Sequence, residues 1–137
     1  MHLTITTPEK VLYDDEIDAI SAPTTTGHVT ILPHHINLLT ELESGEVTVR
    51  RNGKESYIGV TGGFLEVKKE VVSVLADYAV ESESIVVEKA MAAQKRAEEI
   101  LKRREEGLTD QELASAQAAF NRALMELKVA NRRKRQS

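Results

Sequence analysis

Hydrophobic and polar residues alternate in short runs through the first 80 residues of the chain. Alternation with a period of two is typical of β-strands that bury one face. The clearest runs cover residues 3–6, 17–20, 29–32, 47–50, 56–60, 64–67 and 71–75. No stretch between them is long enough for the helix of a parallel crossover. The pattern therefore predicts a β-sandwich or flattened barrel made of short antiparallel strands.

The strongest turn signal in this region is the pair Asn52-Gly53, which lies between two of the runs. Both residue types accept the positive φ angles that a type I′ turn requires. We therefore predict a β-hairpin whose loop consists of these two residues.

After residue 80 the apolar residues follow steps of three and four, which is the spacing of one helical face. The first predicted helix has Ser84 as its N-cap and ends at Gly107, because glycine accepts the left-handed conformation that follows a helix. Its apolar face consists of Val86, Ala90, Ala93, Ala97 and Leu101. We place the boundary between a β domain, residues 1–80, and a helical domain, residues 81–137, at this change of spacing.

A second helix is predicted directly after Gly107. Thr109 and Glu112 match a capping box, in which each side chain accepts a hydrogen bond from the backbone N–H of the other residue. The apolar face of this helix consists of Leu113, Ala116, Phe120, Ala123, Leu127 and Ala130. Because the connection is short, the two helices are predicted to form an antiparallel hairpin.

The predicted hairpin is packed mainly through alanine. Burial stabilises by roughly 25 cal/mol per Å² of apolar surface, and an alanine methyl group offers little surface. The hairpin therefore needs a neighbour. Two alternatives follow: a helical pair that changes its packing partner, and one that stays permanently docked.

Charge is distributed unevenly along the chain, whose net charge is −4. Residues 1–80 carry 12 acidic and 6 basic side chains, whereas residues 81–137 carry 10 acidic and 12 basic ones. The basic run 132–135 is read either as a solvated helix end or as a docking segment for an acidic partner. Nucleic acid is disfavoured as a partner, since no aromatic residues accompany the basic run.

Candidate chemistry is sparse. The four histidines, His2, His28, His34 and His35, lack acidic residues at metal-ligand spacing, so no metal site is predicted. No phosphate-binding loop and no nucleophile motif occurs, and the chain has no cysteine. We therefore expect a protein that is not an enzyme. We also find no signal peptide and no apolar stretch of about 20 residues, and we therefore expect the protein to be soluble.

Several stretches resemble the epsilon subunit of F-type ATP synthases. They are residues 27–47, residues 61–67 with Val74-Leu75-Ala76-Asp77, and the opening segment 7–13. The alanine-rich hairpin is similar as well, so the resemblance covers essentially the whole chain in order.

This resemblance implies about ten short strands followed by an α-helical hairpin, in a non-catalytic central-stalk subunit without a cofactor. The β domain would bind the gamma subunit and rest on the membrane ring of c subunits. The helices would lie folded or extend along gamma to the alpha and beta subunits, where they restrain ATP hydrolysis. The protein would be peripheral, at the cytoplasmic face of the cell membrane. The alternatives are a structural clamp with a permanently docked hairpin and an unrelated β-sandwich interaction module.

Three groups of residues receive roles from the resemblance. The gamma-facing surface would contain Thr40, Thr61, Glu66 and Ser73. The loop toward the ring and the foot of gamma would contain Gly27, His28, Pro33, His34 and His35. The basic residues that meet an acidic segment of the beta subunit would be Arg122, Lys128, Arg132, Arg133, Lys134 and Arg135.

The chain departs from the family at three points. Thr30 and His34 stand where relatives usually have glycine, so we expect the loop backbone to differ. Some bacterial relatives bind ATP through an Ile/Leu-Asp-x-x-Arg-Ala motif, and here the aligned key residues are Ile85, Val86, Lys89 and Ala90. The carboxylate is lost, and lysine lacks the planar fork of arginine. Arg122 could still assist, but Glu126 repels phosphate, and weak or absent ATP binding is therefore predicted.

Overall fold

The computed structural model describes residues 1–35, 37–103 and 107–136, with side chains in the last helix described as far as Arg132. The chain forms two compact units, Met1–Glu83 and Ser84–Ser137. We refer to them as the β unit and the helical unit, and we describe each by itself.

The β unit contains ten strands among its described residues, as the resemblance implied. They are β1 (His2–Thr6), β2 (Val11–Glu16), β3 (Ala19–Thr24), β4 (Gly27–Ile31), β5 (Leu38–Leu42), β6 (Gly45–Arg51), β7 (Lys54–Val60), β8 (Gly63–Lys68), β9 (Val71–Ala76) and β10 (Ala79–Glu81). Their order in the sheet is β10-β7-β6-β3-β5-β8-β9-β1-β2, and β4 pairs with β3. Bent around one core, this sheet gives the predicted sandwich or flattened barrel.

One strand pairing contradicts the prediction of a wholly antiparallel sheet. β1 runs parallel to β9, with His2 beside Val71 and Thr6 beside Leu75. The absence of crossover helices excludes parallel pairing only for strands that follow each other closely in the chain. β1 and β9 are joined by all of the strands between them, so the connection needs no separate helix.

The core of the β unit is aliphatic, because inward-facing residues alternate with outward-facing ones along each strand. Fully buried examples are Leu3 and Ile5 in β1 and Val72 and Val74 in β9. Burying such a side chain stabilises a fold by about 1.5–3 kcal/mol. β2 was not predicted, because a register shift opposite Ile5/Thr6 interrupts the alternation of inward-facing and outward-facing residues along this strand.

The hairpin predicted at Asn52-Gly53 is confirmed. These residues have φ angles of 52° and 77°, and they connect Arg51 of β6 to Lys54 of β7. A second two-residue turn, between β8 and β9, consists of Lys69 and Glu70 with φ angles of 48° and 66°. This turn lacks the glycine or asparagine that usually indicates such a conformation, so it was not predicted.

In the helical unit, α1 (Val87–Lys102) begins and ends at residues other than those predicted. Its N-cap is Val86 rather than Ser84, and no side chain accepts a hydrogen bond there. Ser84 belongs instead to a short 3-10 turn, Ser82–Ser84. At the other end, Arg103 is the C-cap, and Gly107, with a φ of 92°, lies in the loop beyond it. The prediction from the sequence pattern therefore located this helix correctly but misplaced both of its ends.

The start of α2 (Asp110–Gln136) confirms the predicted capping box. The Glu112 N–H donates to Thr109 Oγ1 at 3.1 Å, and the Thr109 N–H donates to Glu112 Oε1 at 3.2 Å. The predicted alanine seam is also present, with Ala90, Ala97, Ala116 and Ala123 buried. Met125 and Val129 are buried as well, which the sequence pattern did not predict.

Because Val86 leaves the first N–H groups of α1 without a side-chain acceptor, we expect Val86→Ser to stabilise the helix. The gain in free energy of unfolding should be about 1 kcal/mol, the usual value of an N-cap oxygen. Thermal unfolding followed by circular dichroism measures it. Val87→Ser, one position inside the helix, is the control and should give no such gain.

Candidate interaction surfaces

The most distinctive surface of the β unit is an exposed sheet face that carries apolar residues. Strand register aligns Phe64 of β8 with Leu75 of β9, Leu75 with Thr6 of β1, and Thr6 with Val11 of β2. Phe64, Leu75 and Val11 are 52%, 58% and 60% exposed. We call the outward side of β5, β8, β9, β1 and β2 the outer face. Exposed apolar residues gathered on one face are typical of a protein-binding surface.

The second row of the outer face includes two residues that the resemblance assigned to gamma binding. Leu39 pairs with Glu66, and Glu66 pairs with Ser73. Leu39 is 68% exposed and extends the apolar part of the face. The outer face therefore combines a charged and a hydroxyl side chain with large apolar ones.

The other two predicted gamma-facing residues lie elsewhere. Thr40 pairs with the fully buried Leu65, so it is on the inward side of β5 and is half-buried. Thr61 lies between β7 and β8, and its N–H donates to the Tyr78 carbonyl at 3.1 Å. The structure thus brings together two of the four predicted residues. It adds the apolar residues, whose outward direction only the strand register reveals.

The five residues of the predicted ring-facing loop fall into two groups. Gly27 and His28 lie at the start of β4, beside the turn that joins it to β3. Pro33, His34 and His35 follow the other end of β4, where the His35 N–H donates to the Leu32 carbonyl at 3.2 Å. Because β4 rises roughly 3.3 Å per residue, its length separates the groups by about 13 Å.

His34, at a position where the resemblance led us to expect glycine, takes a left-handed conformation with a φ of 67°. Its N–H donates to Glu70 Oε1 at 2.6 Å, and its Nδ1 lies 3.5 Å from the same oxygen. The turn after β4 therefore has a backbone conformation that suits glycine. A carboxylate from the β8–β9 turn holds it in place.

His2 forms a second polar cluster at the same end of the β unit. Its Nε2 lies 2.6 Å from Asp14 Oδ1, and its Nδ1 lies 3.1 Å from Glu16 Oε1. Both hydrogen bonds raise the pKa of His2 above its usual 6.5, and the one to Asp14 has the larger effect. The hydrogen bond from His2 in turn lowers the pKa of Glu16. Among the described residues, no group of three or more histidine and acidic side chains could hold a metal ion.

This cluster predicts a pH-dependent contribution to stability. A raised pKa means that the folded state favours protonated His2, so its contribution is complete below the unfolded pKa of about 6.5. The contribution disappears as the pH rises through the folded-state pKa. We therefore expect His2→Gln to cost more stability at pH 5.5 than at pH 8.5 in urea unfolding. NMR titration of the imidazole should show the raised pKa, and a value below 6.5 would contradict the prediction.

In the helical unit, the residues of the altered nucleotide motif lie at comparable heights on the two helices. Ala90 of α1 and Arg122 of α2 are equally far along the chain from Lys102 and Asp110, the two helix ends joined by the loop. The same holds for Val86 and Glu126. Val86 and Lys89 are exposed, Ile85 and Glu126 are half-buried, and Ala90 is buried. At this height in the hairpin, the apolar side chain of Val86 therefore stands where the motif has a carboxylate.

A cavity lies elsewhere in the hairpin, close to the loop between the helices. It is a groove of about 910 Å³ with an apolar floor that includes Ala97 and Ile100. Arg96, Arg103 and Glu112 also line it. None of the residues of the nucleotide motif contributes to its walls.

The basic residues assigned to the arm all lie on α2. Arg122, Lys128 and Arg132 are exposed. Arg133, Lys134 and Arg135 are within the helix, which continues to Gln136, but their side chains lie outside the described part. The backbone of the basic segment is thus helical. None of the helices in the described ranges has the length and hydrophobicity that a membrane-spanning helix requires.

Comparison with known proteins identifies both units. The family described as "ATP synthase, Delta/Epsilon chain, beta-sandwich domain" matches residues 1–82. The family described as "ATP synthase, Delta/Epsilon chain, long alpha-helix domain" matches residues 83–131. The chain therefore belongs to the delta/epsilon chain family of ATP synthases. It is a non-catalytic subunit of that complex, as the resemblance implied.

The relatives by sequence are epsilon chains. The chain is 43% identical to the ATP synthase epsilon chain of Moorella thermoacetica over 131 residues, which cover 95% of this chain and 96% of the relative. It is 38% identical to that of Bacillus velezensis, over 93% of this chain and 95% of the relative. The recognition of an epsilon subunit from sequence motifs is thereby confirmed.

Solved structures share the fold at lower identity. A chain in the cryo-EM structure of the Euglena gracilis mitochondrial ATP synthase, OSCP/F1/c-ring, aligns with a TM-score of 0.65 at 24% identity. The alignment covers 87% of this chain and 74% of that one. A chain of the Tetrahymena thermophila mitochondrial ATP synthase central stalk and c-ring aligns with a TM-score of 0.60 at 17% identity, covering 95% and 96%.

Proposed function

We propose that this epsilon subunit is a central-stalk rotor subunit that couples ion-driven rotation of the c ring to the catalytic head. Residues 1–80 act as a clamp that binds the gamma subunit and the ring. Residues 81–137 act as a movable arm that reaches the alpha and beta subunits and restrains ATP hydrolysis. The subunit is peripheral, at the cytoplasmic face of the cell membrane. The solved structures that share this fold, one of an OSCP/F1/c-ring assembly and one of a central stalk with its c-ring, support a place in the stalk.

The outer face is the observation that best supports the role of residues 1–80 as a clamp. Phe64 and Leu75 are neighbours on adjacent strands, and both are more than half exposed. Covering them removes apolar surface from water, which favours association by roughly 25 cal/mol per Å². Glu66 and Ser73, in the next row, provide hydrogen-bonding groups that fix the register of the partner.

The features that support the arm are its packing and its charge. The seam between α1 and α2 is made largely of alanine, with Ala97 and Ala116 buried, so little apolar area stabilises the pair. Both helices keep their own backbone hydrogen bonds when the pair separates. The exposed Arg122, Lys128 and Arg132 on α2 favour contact with an acidic surface.

Deletion of residues 84–137 tests the arm in the reconstituted head complex. We expect ATP hydrolysis to rise, because the inhibitory segment is absent, while the clamp still binds gamma. Full-length protein is the reference. Unchanged hydrolysis with retained coupling would favour a structural clamp whose hairpin stays docked. Failure of the full-length chain to co-purify with gamma would favour an unrelated interaction module.

The altered motif predicts that the isolated protein binds ATP weakly or not at all. The side chain of Val86 offers no hydrogen bond to a nucleotide, and the carboxylate of the half-buried Glu126 repels phosphate. Isothermal titration calorimetry should detect no binding at micromolar ATP. The double variant Val86→Asp/Lys89→Arg restores the family motif and is the comparison in which affinity should rise. A micromolar dissociation constant for the unmodified chain would refute the prediction.

A further inference from the structure

Two turns at one end of the β unit adopt left-handed conformations without glycine. His34 has a φ of 67°, and Lys69 and Glu70 of the β8–β9 turn have φ angles of 48° and 66°. Residues other than glycine occupy this region at a cost that the surrounding structure must offset. A compensating interaction is therefore expected close to these residues.

The Glu70 residue supplies that interaction to two segments. Its carboxylate accepts the His34 N–H at 2.6 Å, and the same oxygen lies 3.5 Å from His34 Nδ1. Its backbone carbonyl accepts the His2 N–H at 2.9 Å. Glu70 thus connects the start of β1, the turn after β4 and the start of β9, which are distant in sequence.

The contact between Glu70 and His34 fixes a protruding turn. A carboxylate that accepts a backbone N–H forms a charge-assisted hydrogen bond, which is shorter and stronger than a neutral one. The turn that it holds presents the exposed side chains of Leu32 and Pro33. Leu32 is 54% exposed, so a large apolar side chain protrudes from a turn whose backbone is held in one conformation.

We propose that Glu70 is a positioning residue: its carboxylate holds the turn at His34 so that Leu32 and Pro33 are presented to the ring of c subunits. This inference rests on the proposed function for the identity of the partner. The Glu70 carboxylate contacts the turn rather than the partner, and it acts by lowering the conformational freedom that the loop loses on docking.

Three full-length variants separate the carboxylate from the backbone strain. Glu70→Gly removes the carboxylate and suits the left-handed φ, so the variant should fold. Lys69→Gly relieves strain in the same turn but leaves the carboxylate, and it is the matched control. Glu70→Gln keeps an acceptor oxygen and should rescue in part. Amide hydrogen exchange at His34 is measured by NMR, and binding is measured with the purified gamma–c-ring subcomplex of the same synthase.

We expect Glu70→Gly to accelerate exchange at His34 about tenfold and to weaken binding roughly fivefold to tenfold, as the loss of one charge-assisted hydrogen bond predicts. Lys69→Gly should change neither the exchange rate at His34 nor the affinity. Glu70→Gln should give values between those of the unmodified protein and those of Glu70→Gly. Unchanged exchange in Glu70→Gly would overturn the proposal. Faster exchange with unchanged binding would overturn it too. If the unmodified chain fails to bind the subcomplex, the proposed function fails, while the exchange data still decide whether Glu70 holds the turn.

Discussion

Gly63→Ala is expected to destabilise the β unit by at least about 3 kcal/mol, which is a large fraction of the roughly 5–15 kcal/mol that stabilises a typical folded domain. A Cβ atom at this position would lie 1.9 Å from the Leu75 carbonyl oxygen and 2.8 Å from the Ala76 Cα. Both atoms belong to the backbone of β9, so they cannot move aside as a flexible side chain does. The φ of 122° adds strain, because residues with a Cβ rarely adopt it.

Gly53→Ala is the matched control. Gly53 also has a positive φ, 77°, but nothing lies within 4 Å of a Cβ built on it. The free energy of unfolding of this variant should fall only by about 1–2 kcal/mol, which is the cost of placing alanine in the left-handed conformation. Urea unfolding of both variants gives the two losses directly. Equal losses would show that the close approach of β9 contributes nothing.

The second large effect is expected at the outer face. Phe64→Glu should weaken binding to the isolated gamma subunit by about 100-fold, since it replaces a large apolar contact with a charge that must be desolvated. Phe64 is 52% exposed, so the stability of the free protein should change little. Surface plasmon resonance with immobilised gamma measures the affinity, and urea unfolding confirms the folded state.

Ser56→Glu introduces the same charge at an exposed residue of β7, which is four strands away from β8 in the sheet. Its affinity for gamma should equal that of the unmodified protein. If both variants bind equally well, the outer face is not the gamma-binding surface, and the clamp proposal loses its main support.

The features that the sequence predicted correctly are local ones. Asn52-Gly53 and the Thr109–Glu112 capping box each combine residues that lie within a few positions of one another. Their conformations depend on short-range hydrogen bonds and on allowed φ angles, which are properties of the residues themselves.

The features that the sequence did not reveal depend on contacts between distant residues. The parallel pairing of β1 with β9 joins residues about 70 positions apart, and the hydrogen bond between His34 and Glu70 spans 36. Phe64 and Leu75 lie within predicted strands, yet only the register of β8 with β9 shows that they share an exposed face. The helix start was misplaced because a 3-10 turn uses Ser84, the residue favoured as a cap.

The position of β1 between β9 and β2 has a consequence for biosynthesis. As the chain leaves the ribosome, β1 and β2 can form a hairpin early, but one edge of β1 has no partner until residues 71–76 emerge. Such long-range pairing also slows folding, because a large loop must close before the contact forms. The nascent β unit therefore exposes an open strand edge until residues 71–76 have emerged and β9 can pair with β1.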